Sequence, residues 1–212
     1  MKISAELPIL CLSLPRSTER WTRMQKRFQY YHLNVEKFPG ITTPSPDLKF
    51  SSALSQTARC CAEAHFRMWQ YIIENKLECC LILEDDAMFH KDWIKKLEAF
   101  DCTTEAFDAI FLNASEPSYP EETWVIATDQ FLTAAYILSL EGAQKLVYMF
   151  RDCLYGADWM TVCLQRDRKC LSYFPWLVIQ EGDSFISTNF TADHAKVIRS
   201  LESTNTSFKD YI

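Results

Sequence analysis

The sequence predicts an α/β fold in which a mixed, largely parallel central sheet is flanked by helices. Short apolar runs typical of strands alternate with longer segments whose apolar residues recur at helical spacing. One run, 79–83, is continuously apolar, as in parallel strands that are buried on both faces. The chain has 212 residues, 48% of them hydrophobic, which suffices for one domain with a sizeable core.

The first part of the chain predicts three strands and two helices. Trp21, Met24 and Phe28 recur at intervals of three and four residues, and so do His65, Met68 and Ile72, so each set marks one helix face. The proline-rich stretch between the second strand and the second helix predicts a loop. The predicted elements are, in order, a strand at 7–14, a helix at 17–31, a strand at 35–38, a helix at 54–75 and a strand at 79–83.

The second part continues the alternation. Ser139 opens a Ser-Leu-Glu-Gly sequence that resembles a helix cap, and the apolar run FPWLVI predicts a late strand. After Arg199 the chain becomes polar, as in a tail or a linker to a further domain. The predicted elements are a helix at 92–100, strands at 107–112 and 134–138, helices at 139–150 and 157–166, and a strand at 174–179.

Composition and charge narrow the class of protein. The formal net charge of -6 and the pI of about 5.3 disfavour nucleic-acid binding, which usually requires a basic excess. The nine cysteines are odd in number, include two adjacent pairs and lack C-x-x-C spacing, so they predict neither a disulfide framework nor structural zinc. The sequence shows no signal-peptide pattern and no apolar run of ~20 residues. We therefore expect a cytoplasmic protein without a membrane span.

Three acids follow the predicted strand at 79–83 directly: Glu84, Asp85 and Asp86. Ligands gather at the carboxyl ends of parallel strands, and residues 84 and 86 project to one side if the backbone stays extended. Two such carboxylates hold a divalent cation, to which a diphosphate adds oxygen ligands. The alternative is an acidic turn that caps the next helix, with Asp85 or Asp86 near its N-terminus.

Other polar residues are weaker candidates. Arg16 follows the first strand and can approach a phosphate, or face solvent after Pro15; Arg59 at the start of its helix has the same two interpretations. His65 lies on an apolar helix face, where a core role is more common than catalysis. Asp158 precedes Trp159, a pair that suits sugar binding or a helix N-cap.

The order of these segments resembles glycosyltransferase family 25, the lipooligosaccharide and procollagen sugar transferases, over about 8–187. LEDDA at 83–87 and AAYILSLEGAQKL carry the most specific similarity. The chain departs from the family pattern at Ser13 (Asn in the family), Cys60 (Gly) and Ala64 (Ser). The other similar stretches are LSLPRSTERW, CCAEAH, FDAIFL, GADWM and LVIQEGDSFIS.

The resemblance implies a GT-A, Rossmann-like fold, with a glycosyltransferase domain at 1–198 and a polar tail or linker at 199–212. It implies Mn²⁺ or Mg²⁺ and a UDP-sugar donor. Asp86 would bind the metal and take part in catalysis, and Glu84 would bind the ribose or the metal, with Asp85 close by. The remaining implied contacts are Leu12, Ser13 and Leu14 with uracil, Arg16 and Arg59 with phosphates, and Asp158 with the donor sugar or as general base. Apart from the resemblance, His194 next to Asp193 is a weak candidate for a late metal ligand.

The implied function is metal-dependent transfer of a sugar from a UDP-sugar to a hydroxyl of a glycan or glycoprotein acceptor. The alternative is a non-catalytic module of the same fold that binds a nucleotide-sugar or carbohydrate. A nicotinamide-dependent oxidoreductase is disfavoured because no G-x-G-x-x-G is present and only four glycines occur. We further expect a monomer, and an N-terminal domain of a larger chlorovirus-encoded glycosyltransferase that would work in the host cytoplasm.

Overall fold

A computed structural model describes residues 7–99, 107–113, 123–181 and 207–212. The helices are α1 (Thr18–Tyr30), α2 (Gln56–Glu74), α3 (Trp93–Glu98), α4 (Leu140–Phe150) and α5 (Ala157–Gln165), with a 3-10 helix at Phe208–Asp210. The strands are β1 (Ile9–Ser13), β2 (Glu36–Pro39), β3 (Cys79–Glu84), β4 (Ala87–Phe89), β5 (Ala109–Phe111), β6 (Thr123–Ile126), β7 (Ala135–Ser139), β8 (Cys170–Phe174) and β9 (Val178–Gln180).

Seven strands form the main sheet in the order β2-β1-β3-β7-β5-β8-β6. Five of them, β2, β1, β3, β5 and β8, run in one direction, while β7 and β6 run against their neighbours. The sheet is therefore mixed and largely parallel, and it is flanked by helices. The fold class predicted from the sequence is confirmed.

Both faces of the central strands are buried, which explains their unbroken apolar sequences. Ile82 lies in the same core cluster as Trp69 of α2 and Leu146 of α4. Its neighbour Leu81 lies in the core cluster on the other face, together with Met24 of α1. Burying each such aliphatic side chain contributes roughly 2 kcal/mol, so the two helix layers hold the sheet from both sides.

Two serines cap the helices that cover one face. Ser55 accepts a hydrogen bond from the Ala58 N–H before α2, and Ser139 accepts one from the Gly142 N–H before α4, as its sequence indicates. Gly142 has no room for a side chain, because an added Cβ would lie 2.3 Å from the Asp108 carbonyl oxygen. This close approach seats α4 on the sheet.

A second, two-stranded sheet pairs β4 with β9. The last residues of the chain extend it, since the backbone groups of Phe89 and Ile212 exchange two hydrogen bonds of 2.9 Å. The Tyr211 hydroxyl also donates to the Trp176 carbonyl. Strand β4, which follows the turn after β3, is thus held by both β9 and the residues at 211–212. The predicted domain boundary at residue 198 lies outside the described residues.

The late strand predicted at 174–179 is wrong in its bounds. β8 ends at Phe174 and β9 begins at Val178, and the two strands lie in different sheets. Pro175 lies between them and has no N–H to donate to a neighbouring strand. The short strands β4, β6 and β8 were not predicted. Within the described ranges, no helix has both the length and the apolarity needed to cross a bilayer.

Candidate functional site

Three acidic residues lie at the carboxyl end of β3, the third of seven strands in the main sheet. Glu84 is the last residue of β3 and lies opposite Leu12 of β1. Asp85 and Asp86 form the turn that leads into β4. They cap no helix, because the next one, α3, begins after Asp92. The acids therefore occupy the strand end that the sequence predicts.

Glu84 is held by a chain of hydrogen bonds that starts in the core. Its Oε1 accepts from the Thr133 hydroxyl at 2.6 Å and lies 3.1 Å from His65 Nε2. His65 Nδ1 lies 2.9 Å from the Tyr136 hydroxyl, which accepts from Trp69 Nε1 at 2.9 Å. His65, Trp69 and Tyr136 are completely buried. The chain thus connects α2 and β7 to the end of β3.

The chemistry of the donor groups shows in which direction each of these hydrogen bonds is donated. An indole N–H only donates, so the Tyr136 oxygen accepts from Trp69 and its own proton is free to reach His65 Nδ1. The Nε2–H of His65 then donates to Glu84. Burial raises the pKa of Tyr136 well above its usual range, which keeps the hydroxyl proton in place. His65 therefore orients Glu84 as well as packing in the core.

These contacts keep Glu84 ionised. Burial acts to raise the pKa of Glu84, but the hydrogen bond from His65, the hydrogen bond from the Thr133 hydroxyl and the charge of Arg20 outweigh it and lower the pKa. Both hydrogen bonds end on Oε1, and the side chain is 19% exposed. Within the described part of the chain, Oε2 is left to accept from a ligand.

Asp85 and Asp86 share one cationic partner. Arg20 Nη2 lies 2.6 Å from Asp85 Oδ1 and 2.8 Å from Asp86 Oδ2. Burial raises the pKa of Asp86 to about 7; Glu84 and Asp85 add to the rise, and Arg20 opposes it. Burial also raises the pKa of Asp85, against the lowering effects of Arg20 and of the Ser13 hydroxyl. The two aspartates are thus incompletely neutralised.

The prediction that residues 84 and 86 project to one side is wrong. The extended backbone ends at Glu84, and the turn at Asp85 and Asp86 redirects the chain. Glu84 consequently contacts His65 of α2, whereas Asp86 contacts Arg20 of α1 on the other face of the sheet.

Each aspartate keeps one buried oxygen without a hydrogen-bond donor among the described residues. These atoms are Asp85 Oδ2 and Asp86 Oδ1. A buried acceptor without a partner is unfavourable by about 1–3 kcal/mol, and more when the group is charged. A hard divalent cation prefers carboxylate oxygens of this kind. The donor set therefore fits Mn²⁺ or Mg²⁺.

A row of arginines on α1 forms ion pairs with Asp85, Asp86 and Glu181, and the sequence analysis did not single it out. Arg20, Arg23 and Arg27 are spaced by three and four residues. Arg23 Nε and Arg27 Nη2 each lie 3.3 Å from a carboxylate oxygen of Glu181, whose N–H donates to the Asp86 carbonyl at 2.7 Å. The helical spacing of the arginines is the signal that would have revealed this face.

Cys61 connects the acids to α5. Its sulfur and the ligand atoms of His65 and Glu84 lie within 4.8 Å of one another, close enough to hold a metal ion. However, burial raises the pKa of Cys61 well above its usual range, and Glu84, Asp158 and Asp86 raise it further. The thiol is therefore neutral, and both His65 nitrogens have partners. The oxygens of the two aspartates suit a hard cation better than this trio does.

A sequence model of glycosyltransferase family 25 (LPS biosynthesis protein) matches residues 6–127, more than half of the chain. The chain belongs to glycosyltransferase family 25. The matched segment contains β1, α1, α2 and β3, and so it includes the acidic residues and the partners that α1 and α2 supply to them.

Curated relatives of this family 25 chain include both named transferases and an inactive member. Human procollagen galactosyltransferase 2 is 30% identical over 127 residues, 54% of this chain and 20% of that protein. Human inactive glycosyltransferase 25 family member 3 is 28% identical over 127 residues, 55% of this chain and 21% of that protein. A glycosyltransferase 25 family member of Drosophila pseudoobscura pseudoobscura is 26% identical over 167 residues, with coverage of 66% and 26%. The chain thus spans about a quarter or less of each.

One similar solved structure is a glycosyltransferase involved in the glycosylation of the major capsid of PBCV-1. The identity is 15% and the TM-score 0.34, with coverage of 79% of this chain and 93% of that one. A similarity this low carries no argument about the present chain. That a chlorovirus encodes the present chain stays a prediction.

The family 25 pattern at the end of β1 lies next to the acids. Leu12, Ser13 and Leu14 lead out of β1, which pairs with β3. The Ser13 carbonyl already accepts from the Gly40 N–H at 2.9 Å, and the Leu14 carbonyl accepts from the Ser17 N–H at 3.0 Å. These two carbonyls are less free for a base edge than the sequence implies.

The remaining predicted residues differ in their placement. Arg16 is exposed after β1, and its charge acts on Cys60 at the start of α2. Arg59 donates from Nε to the Leu54 carbonyl at 3.2 Å, and no described contact joins it to the acids. Asp158 lies in the first turn of α5 and acts on Cys61, so it belongs to the same end of the sheet. The weak metal candidate His194 lies outside the described residues.

A cavity of about 830 Å³ lies elsewhere, beside the amino ends of β1 and β2. Its lining includes Leu7, Tyr31, Val35 and Leu77. Ligands of open α/β sheets bind at the carboxyl ends of the strands, so the acidic cluster, and not this cavity, is the candidate active site.

Proposed function

We propose that this family 25 domain transfers a sugar from a UDP-sugar to a glycan hydroxyl and that it requires Mn²⁺ or Mg²⁺. The acceptor would be a free glycan or the glycan of a glycoprotein. One observation carries the proposal. At the carboxyl end of β3, two adjacent buried aspartates share Arg20, and each retains one oxygen without a donor from the described residues. A cation and a diphosphate together supply the missing charge and ligands.

The residues that would hold the cation are Asp86 and Asp85, with Glu84 beside them. When bound, the cation neutralises charge that develops on a departing diphosphate. Arg20 remains beside both aspartates and orients their carboxylates. Arg16 is exposed and follows the carboxyl end of β1 by three residues, and it would bind the phosphates.

Glu84 would bind the nucleoside. Its carboxylate is ionised, and it is fixed through Oε1 by Thr133 and His65. Its second oxygen can accept a hydrogen bond from a ribose hydroxyl. Leu12 lies opposite it on β1, Leu14 follows the end of that strand, and both would contact the uracil face. A carboxylate held this firmly loses little conformational freedom on binding.

Asp158 would deprotonate the acceptor hydroxyl or contact the donor sugar. Its Oδ1 accepts from the Trp159 N–H at 2.8 Å, which leaves Oδ2 for a substrate hydroxyl. Its charge reaches Cys61, which lies beside Glu84. A carboxylate in this position can serve as a general base on the side of the site away from Arg20.

A non-catalytic module that binds a nucleotide-sugar or carbohydrate is the second candidate. The human relative named as inactive is 28% identical to this chain, close to the 30% of the named galactosyltransferase. Identity alone does not separate the two outcomes.

Single-turnover assays with a panel of UDP-sugars and a glycan acceptor separate them. In the presence of Mn²⁺, a transferase releases UDP and forms a glycosylated product that mass spectrometry detects. We expect Asp86→Ala and EDTA each to abolish product, while Lys26→Ala, which alters an exposed cation on α1, retains it. UDP binding without product for every sugar would instead identify the binding module. Neither binding nor product would contradict both proposals.

A further inference from the structure

Exposed aromatic side chains gather where α4 ends and α5 begins. Tyr155 and Trp159 are 38% and 41% exposed, with ring centroids 4.7 Å apart and planes tilted by 38°. Phe150 is buried and meets both rings edge-on, at 6.1 Å and 6.0 Å. Edge-on packing of this kind is a favourable aromatic geometry. Phe150 therefore supports the two exposed rings from the protein side.

This ring pair adjoins the candidate active site. Asp158 immediately precedes Trp159 in the first turn of α5 and accepts its N–H. Asp158 is also close enough to Cys61 to act on its thiol, and the Cys61 sulfur lies within 4.8 Å of a Glu84 ligand atom. The first turn of α5, which carries Asp158 and Trp159, therefore lies at the same end of the sheet as the acids.

We propose that Tyr155 and Trp159, whose rings pack against each other, form a stacking platform that offers an outer ring face to a pyranose ring of the acceptor glycan, with Asp158 accepting hydrogen bonds from its hydroxyls. This inference rests on the proposed transfer to a glycan. One face of a pyranose is lined by C–H groups, which pack against the electron-rich face of an aromatic ring. Its hydroxyls lie at the rim and require polar partners. Two supported rings beside a carboxylate offer both kinds of contact.

A polypeptide acceptor fits these surroundings less well. An extended peptide needs hydrogen-bond donors and acceptors repeated along a groove or sheet edge. The nearby cation Arg151 already donates to the Tyr148 carbonyl at 2.7 Å, and its guanidinium lies 4.0 Å from the Tyr148 ring centroid. The carboxylate of Asp158 lies beside Trp159, and an acceptor-only group suits a hydroxyl-rich ligand.

Saturation-transfer NMR titrations with methyl β-D-glucopyranoside and methyl β-D-galactopyranoside test the platform. We expect at least one pyranoside to bind the wild-type chain, and Trp159→Ala to weaken that binding about tenfold. Trp159→Phe keeps a ring and should retain most of the affinity. Tyr30→Ala, which removes an exposed ring on α1, serves as the matched control and should bind as the wild type does. If Trp159→Ala does not fold, Tyr155→Ala provides the same test.

Three results would overturn the inference. They are no binding of either pyranoside up to about 50 mM, a range that covers weak millimolar sites; unchanged affinity after loss of either ring; or Trp159-dependent binding of a collagen-like Pro-Hyp-Gly peptide in place of the pyranosides. A separate titration of the wild type with UDP and Mn²⁺ reports on the proposed function. Loss of that signal with intact pyranoside binding would reject the transferase and leave the platform standing.

Discussion

Glu84 and Asp86 are two residues apart in the sequence, yet the fold gives their carboxylates opposite surroundings. Glu84 contacts Thr133 and His65 through Oε1, and its pKa is lowered. Asp86 shares Arg20 with Asp85, keeps Oδ1 without a described donor, and has a pKa raised to about 7. Glu84 is held by neutral donors through one oxygen, while Asp86 shares its cation and has one oxygen that no described residue contacts as a donor. The surroundings of each carboxylate, and not its residue type, set its pKa and the ligand that it can bind.

The difference arises at the turn after β3. Glu84 still belongs to the strand and points to the face covered by α2, where His65 is fixed by Tyr136. The turn brings the following aspartates to Arg20 on α1. Two helices on opposite faces of one sheet thus supply different partners to consecutive residues.

Removing Arg20 tests the aspartate side with the largest expected effect. Arg20→Ala leaves two buried carboxylates without their cation, and we expect the free energy of unfolding to fall by about 3 kcal/mol at pH 8 in EDTA. Urea denaturation measures this change. Lys26→Ala alters an exposed cation on the same helix and should change stability by less than about 0.5 kcal/mol. Equal effects of the two variants would show that Arg20 does not neutralise the aspartates.

The raised pKa of Asp86 predicts how stability depends on pH. The folded protein holds this proton up to about pH 7, whereas the unfolded chain releases it near the ordinary aspartate pKa of 3.8. Stability from this group is therefore present below about pH 4 and is lost as pH rises toward 7. Asp86→Asn removes the loss, so in EDTA at pH 8 we expect the variant to exceed the wild type by on the order of 2 kcal/mol.

Thermal and urea unfolding at pH 5 and pH 8 check this sign. The advantage of Asp86→Asn should be smaller at pH 5, where the wild-type carboxyl is largely protonated. Glu84→Gln should behave in the opposite way and destabilise the protein at pH 8, because the pKa of Glu84 is lowered. A shared sign for the two variants would contradict the contrast between the carboxylates.

A smaller effect is expected from breaking the series of hydrogen bonds that holds Glu84. Tyr136→Phe leaves the Trp69 N–H and His65 Nδ1 without their common partner in the core. We expect the free energy of unfolding to fall by about 1.5 kcal/mol, and UDP affinity to fall a fewfold because Glu84 is less firmly oriented. Tyr148→Phe removes a hydroxyl from an exposed ring and is the control. Identical urea midpoints for the two variants would indicate that the hydrogen bonds of Tyr136 do not contribute to stability.

Sequence patterns were sufficient for the fold class and for the strand that carries the acids. The unbroken apolar run before Glu84 predicted a strand buried on both faces, and its carboxyl end predicted the site. They were not sufficient for Thr133 and Tyr136, because a Thr in a loop and a Tyr in an apolar strand carry no signal of the contact each makes across the fold. The strand β8 (CLSYF) was missed because its buried Ser172 interrupts the apolar run, whereas FPWLVI was apolar throughout but contained Pro175.

Direct measurement of Mn²⁺ binding tests the central claim, that the incompletely partnered aspartates hold a divalent cation. Electron paramagnetic resonance reports free Mn²⁺ during titrations of the wild type, Asp86→Asn and Tyr148→Phe at pH 8, with and without UDP. The account predicts that the wild type and Tyr148→Phe bind Mn²⁺ more tightly when UDP is present, and that Asp86→Asn loses about 100-fold in affinity, about 2.7 kcal/mol. Equal Mn²⁺ affinity in Asp86→Asn and the wild type would contradict it.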